Sequence, residues 1–117
     1  MIEAEISEAL IKFEKEYMGR GSIETRTYII QDMVIVRMKG VLTRAETQLT
    51  RSGEGLDLIK KVRIRLIEEA RDMLSAILTE IGGCACRSMH TDISTVTGER
   101  VIVFTMECDL EARIKNA

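Results

Sequence analysis

The sequence predicts an α+β fold: two layers, with one four-stranded antiparallel sheet and two main helices on one of its faces, in the order α-β-β-α-β-β. Three observations predict it. Apolar residues recur at helical spacing over residues 2–18 and again over residues 56–80. Alternating β-rich runs flank the dipeptide Gln31-Asp32, as a hairpin requires. A second pair of such runs closes the chain after Gly82-Gly83. The economical packing of these elements is one domain over residues 1–117, the sheet covered on one side.

Residues 2–18 place Ile2, Ile6, Leu10, Phe13 and Tyr17 on a narrow apolar stripe, and Gly19 and Gly21 end the helix. The hairpin follows, Ile23–Ile30 and Met33–Gly40. With Gln31-Asp32 as its loop, Arg26 stands opposite Arg37 and Glu24 opposite Lys39 on one face, while Thr27/Val36 and Ile29/Val34 share the other. Thr43 with Glu46 three residues later is a capping-box pattern, so a short helix is expected over 44–51, broken by Arg51-Ser52-Gly53-Glu54-Gly55. The long helix over 56–80 is read with Ile59, Val62, Leu66, Ala70, Met73 and Ile77 as its buried stripe, flanked by Ile67, Leu74, Leu78 and Ile81. Strands are expected over 84–91 and 100–108, with a turn-rich connection over 92–99 and a short helical or frayed tail after 109.

Composition narrows the function. The 117 residues are 45% hydrophobic and 31% charged, ordinary values for one globular domain. A net charge of −2 gives no field that gathers nucleic acid, and four aromatics (Phe13, Tyr17, Tyr28, Phe104) are too few for a base-stacking platform. No apolar run approaches the roughly 18 residues of a membrane span, and the acidic opening Met1-Ile2-Glu3-Ala4-Glu5 is unlike a signal peptide. The expectation is a cytoplasmic domain whose three cysteines, Cys84, Cys86 and Cys108, are free thiols.

Candidate chemistry is sparse. Arg20, Arg26, Arg37 and Lys39 form the candidate binding set, since paired guanidinium groups grip phosphate or carboxylate. The plainer reading of that set is a solvated sheet face. Lys60, Lys61, Arg63 and Arg65 crowd the start of the long helix, a pattern also met in solvated helix faces paired with Glu68, Glu69 and Asp72. Cys84, Cys86 and His90 share a face by strand parity, but Cys-x-Cys on a strand splays its sulfurs, and a metal site is not expected. His90 and Asp92 lack a nucleophile on a Gly-rich elbow, and Asp92 is read as a turn residue. No P-loop or dinucleotide fingerprint is present. No catalytic residue and no cofactor are expected.

The blocks Gly19-Arg20-Gly21, Thr25-Arg26-Thr27-Tyr28-Ile29, Val41-Leu42-Thr43-x-Ala45-Glu46-x-x-Leu49, and His90-Thr91-Asp92-Ile93-Ser94-Thr95-x-Thr97-Gly98-Glu99-Arg100-x-Ile102-x-Phe104 resemble the MpsC-like family. That bacterial family is named for a subunit of a sodium-translocating system that generates membrane potential. The resemblance spans residues 6–108, and the chain departs from the family pattern at Ser22 and at Cys84-Ala85-Cys86. It implies an accessory role beside a membrane-protein partner and transfers no catalytic residue. The expected function is therefore a non-enzymatic accessory or protein-interaction domain, with a homodimer formed through surplus apolar surface on the hairpin. The alternative is a sensor of small anions or nucleotides on the basic hairpin face.

Overall fold

The computed structural model describes residues 1–116, which form α1 (Ile2–Tyr17), β1 (Glu24–Ile30), β2 (Met33–Lys39), α2 (Arg44–Leu49), α3 (Gly53–Glu69), α4 (Arg71–Gly82), β3 (Cys86–Ser94), β4 (Glu99–Met106) and α5 (Leu110–Lys115). The four strands make one antiparallel sheet in the order β1-β2-β4-β3. Helices pack on one face of it, so the α+β reading holds.

The hairpin register is the expected one, Arg26 opposite Arg37 and Glu24 opposite Lys39. Its turn places Gln31 at φ 55, a conformation that side chains rarely take. Tertiary contacts hold it there: the Gln31 N–H donates to Oε1 of Glu111 at 3.3 Å, and the Glu111 N–H donates to the Gln31 carbonyl at 3.1 Å. The C-terminal segment, expected as a short helical or frayed tail, forms helix α5 and is a clamp on the hairpin, anchored by Asp109 as its N-cap and by buried Leu110.

The capping box forms as expected, Thr43 Oγ1 accepting from the Glu46 N–H and Glu46 Oε1 from the Thr43 N–H. Ser52 then caps α3 by accepting from the Gly55 N–H at 3.0 Å. Gly55 lies inside α3 and does not break it. A Cβ there would stand 1.8 Å from the Leu49 carbonyl oxygen, so the glycine lets α3 start against the end of α2.

The long helix differs from expectation. It divides at Ala70 into α3 and α4, and besides Gly55 and Gly82 the buried residues are Ile59, Arg63, Ile67, Ala70, Leu74 and Leu78. Val62 and Met73, expected in the stripe, are 45% and 50% exposed, and Leu66 and Ile77 are half-buried. The face was displaced because Arg63 occupies a core position, which hydropathy alone scores as surface.

Strand ends differ as well. β3 runs on to Ser94, so Asp92 is a strand residue and the turn is confined to 95–98, with Gly98 at φ 72. A register shift between Cys86 and Ser88 breaks the parity of β3, leaving Cys86 against the core side and His90 exposed on the other. The expectation of three free thiols is corrected: Cys84 and Cys108 form a disulfide with Cα atoms 6.3 Å apart, and Cys86 is free. Continuing the Cys86–Met106 pairing outward sets those two cysteines opposite each other, a consequence hidden while the strand ends were unknown.

Candidate functional site

Two features stand apart from ordinary packing: an uncovered sheet face and a charged cluster sealed beneath the covered one.

The helices cover the face that carries Val34, Val36, Met38, Ile102, Phe104 and Met106, all buried. The opposite face has no covering element among the described residues. The register aligns Tyr28, Ile35, Val103 and His90 in one row across all four strands, with Arg26, Arg37, Val101 and Asp92 in the row beside it. Tyr28, Ile30 and Met33 are 42%, 50% and 36% exposed, an apolar end to the face.

At the other end the sheet brings together three of the four expected binding residues. Arg26, Arg37 and Lys39, with Glu24 and Tyr28, line a shallow depression of about 270 Å³. Arg20 is elsewhere, its Nη1 donating to the Leu42 carbonyl at 2.9 Å beside Arg44, Thr47 and Gln48. The opposed arginines are each supplied with an acid. Arg26 Nε donates to Glu24 Oε1 and Arg37 Nε to Glu99 Oε2, both at 2.7 Å, and Lys39 Nζ stands 3.6 Å from Glu24 Oε2. The hydrogen bond from Arg26 holds the Glu24 carboxyl below its ordinary range, with Lys39 adding to it. The bond to Glu99 raises Arg37 in turn. These cations are therefore partnered within the chain.

His90 and Asp92 are both exposed, on the uncovered face, with Lys60 Nζ 3.6 Å from Asp92 Oδ1. Among the described residues no group of three His, Cys, Asp or Glu side chains is arranged to hold a metal.

The sealed cluster joins charged residues of α1, α2, α3 and β4. Glu14 of α1 and Arg100 of β4 are both fully buried, with Arg100 Nε 3.9 Å from Glu14 Oε1. Both carboxylate oxygens of Glu14, and Nε and Nη1 of Arg100, have no hydrogen-bond partner within the chain, while Arg100 Nη2 donates to the Arg63 carbonyl at 3.4 Å. Arg63, only 3% exposed, is satisfied: it donates to the Val41 carbonyl at 3.0 Å and forks onto Glu46 with Nε–Oε2 at 2.7 Å. Burial raises the Glu14 carboxyl above its ordinary value, against the pull of Arg100 and Arg63. Burial likewise pushes Arg100 down to about 10. For Glu46 burial acts upward, but the bonds from Arg63 and from Thr43 outweigh it and the carboxyl lies below its ordinary value. The sequence held a signal for this cluster. Glu14 falls one helical turn past Leu10, and Arg100 shares strand parity with Ile102 and Phe104.

A family profile described as "Na+-translocating membrane potential-generating system (MpsC)" matches residues 1–108. The chain belongs to the MpsC family. It is 45% identical over 114 residues to "Uncharacterized protein YbcI" of Bacillus subtilis (strain 168), an alignment covering 97% of this chain and 92% of that protein. No solved structure matches it.

Proposed function

We propose that this MpsC-family chain is a non-enzymatic protein-interaction domain, cytoplasmic, that associates as a homodimer through its uncovered sheet face and serves as an accessory to a membrane ion-translocating partner. The family's description supports the last part. No helix among the described residues is long and apolar enough to cross a membrane; in this reading the partner supplies the membrane-spanning part.

The observation that carries the interaction reading is the face itself, apolar at one end, with Arg26 on its β1 edge and Asp92 on its β3 edge in one row. A two-fold axis parallel to the strands lays β1 of one protomer over β3 of the other, because the rotation exchanges left and right but keeps position along the strand. Ile35 then meets Val103 of the partner subunit, Tyr28 meets His90 of the partner subunit, and Arg26 meets Asp92 of the partner subunit. Sheets so stacked keep the aligned packing of sandwiches. Four strands of about six residues give a face of roughly 400 Å² in projection on each protomer, about 800 Å² in all, the size of a weak, transient interface and below that of a permanent one. Arg37, bound to Glu99, leaves little free positive charge for an anion sensor, whereas the dimer needs only that the exposed Arg26 and Asp92 share their present partners Glu24 and Lys60 with each other across the axis.

Sedimentation at micromolar concentration is expected to show about twice the 13.2 kDa chain mass. Ile35→Lys should give a folded monomer. Arg26→Asp or Asp92→Arg alone should weaken association, and the two together should restore it. A clean monomer for the unaltered chain would sink the dimer, and restoration failing would sink the axis.

A further inference from the structure

All three sulfurs gather at one end of the molecule. Cys84 precedes β3, Cys108 follows β4, and Cys86 lies two residues along β3; each is partly buried against the same core. The disulfide ties the α4–β3 connection to the β4–α5 connection across a sequence separation of 24. Arg113 of α5 reaches back over it, its Nη1 donating to Cys108 Sγ at 3.5 Å and to the Gly83 carbonyl at 3.2 Å. No other cationic contact to these sulfurs exists among the described residues. The guanidinium therefore singles out Cys108 of the bonded pair. Gly83, at φ 75, closes α4 and turns the chain so that its carbonyl seats Arg113 beside the sulfur.

We propose that Cys84–Cys108 is a thiol–disulfide exchange site, with a dithiol reductant as its reaction partner, Cys108 as the leaving sulfur and Arg113 as the positioning cation. A thiolate of the reductant attacks Cys84 Sγ. The Cys84–Cys108 bond breaks with its electron pair going to Cys108, whose thiolate is stabilised by the adjacent guanidinium. The second thiolate of the reductant then attacks the reductant sulfur bonded to Cys84, expelling Cys84 as a thiolate and closing the reductant into a disulfide. Two electrons pass to the protein, and two protons from water complete the thiols. The reverse reaction needs an oxidised dithiol. A leaving sulfur departs faster the more its thiolate is stabilised. A disulfide persists in an oxidising compartment and is reduced in one held reducing, so the site reports the state of its surroundings.

The structural consequence runs through α5. Leu110, two residues after Cys108, is buried beside Gly82, and Glu111 holds Gln31 in the hairpin turn. Opening the disulfide removes the covalent tie at the root of that helix and loosens its grip on the turn.

The test is alkylation of the full chain under native conditions, with peptide mass mapping, after graded exposure to oxidised and reduced dithiothreitol. In the oxidised chain Cys86 alone should be labelled, and reduction without denaturant should expose Cys84 and Cys108 to label. Arg113→Gln should slow that reduction severalfold, because the leaving thiolate loses its adjacent guanidinium, and Arg113→Lys should recover most of the rate. Hydrogen exchange at the Gln31 amide should quicken on reduction. Labelling of all three cysteines after oxidation would overturn the site. So would a disulfide that resists the dithiol until the chain is unfolded. An unchanged rate in Arg113→Gln, with unaltered melting, would remove Arg113 from it.

Discussion

Glu14→Ala should cost about 3–5 kcal/mol, a large share of the roughly 5–15 kcal/mol available to a domain of this size. The reason is what it leaves behind. Arg100 is fully buried, its Nε and Nη1 have no partner but the opposing charge, and the nearby Arg63 is a second cation that acts against it. Removing Glu14 strands that guanidinium in the core. Arg100→Ala should do comparable damage by stranding the carboxylate. The double replacement Glu14→Leu with Arg100→Met should be close to neutral or stabilising, because it removes two desolvated charges and fills the space with apolar atoms. Urea denaturation of the unaltered chain, Glu14→Leu, Arg100→Met and the double replacement gives the cycle. Additive losses in the double variant would show that the pair is not the unit of stability.

The same cluster fixes a pH signature. The Glu14 carboxyl lies above its ordinary 4.5 when folded, so the native state binds a proton more readily than the unfolded chain. Its contribution to stability therefore falls as pH rises from the ordinary carboxylate range through the folded value. Glu46 lies on the other side: its folded value is below 4.5, and the stability it supplies is present above that range and lost as pH falls through the folded value. The Glu14→Leu/Arg100→Met protein should keep the Glu46 loss at low pH and lack the Glu14 decline. Denaturation midpoints taken across pH 3 to 7 on both proteins, a range spanning about two units around those carboxyls, would separate the two.

Local chemistry was legible in the sequence, whereas burial of charge showed only as position on an apolar stripe, a signal that residue type overrides. The hairpin register followed from a two-residue loop and alternation, and α2 followed from Thr43 and Glu46. Those signals act within a few residues. Glu14, Arg63 and Arg100 are distant from one another along the chain, and each sits on an apolar stripe where a residue-by-residue reading assigns charge to solvent. The same blindness hid the disulfide, whose two halves meet only when β3 and β4 pair. Of the candidate binding set, Arg26, Arg37 and Lys39 met because one hairpin carries them all. Arg20 lies beyond the left-handed turn at Gly19 and was drawn to the Leu42 carbonyl.

Arg63 shows how one buried charge misplaces a whole helix, and it yields the second large expected effect. A stripe chosen to avoid arginine passes through Val62, Leu66 and Met73. The observed stripe keeps the expected Ile59 and Ala70 but runs between them through Arg63 and Ile67 and onward through Leu74 and Leu78, the last three of these expected only as its flanks. The neighbours Met73 and Leu74 decide between them, since they point about 100° apart on a helix. Leu74 is fully buried and Met73 is half exposed. Leu74→Ala should cost about 2–5 kcal/mol, from the lost transfer of its methyl groups and the cavity they leave. Met73→Ala should fall within about 1 kcal/mol of the unaltered chain, because a half-exposed side chain surrenders little burial and alanine favours the helix. Arg63→Leu should not behave as a simple gain of apolar core. It frees Glu46 from its fork and leaves the Val41 carbonyl unsatisfied beneath α2, so α2 should loosen while α4 stays packed. Equal losses at Met73 and Leu74 in urea denaturation would return the helix to the phase that hydropathy assigns. A loss confined to Leu74, with amide exchange quickened in α2 of Arg63→Leu, would show that an ion pair sets the helix's rotation.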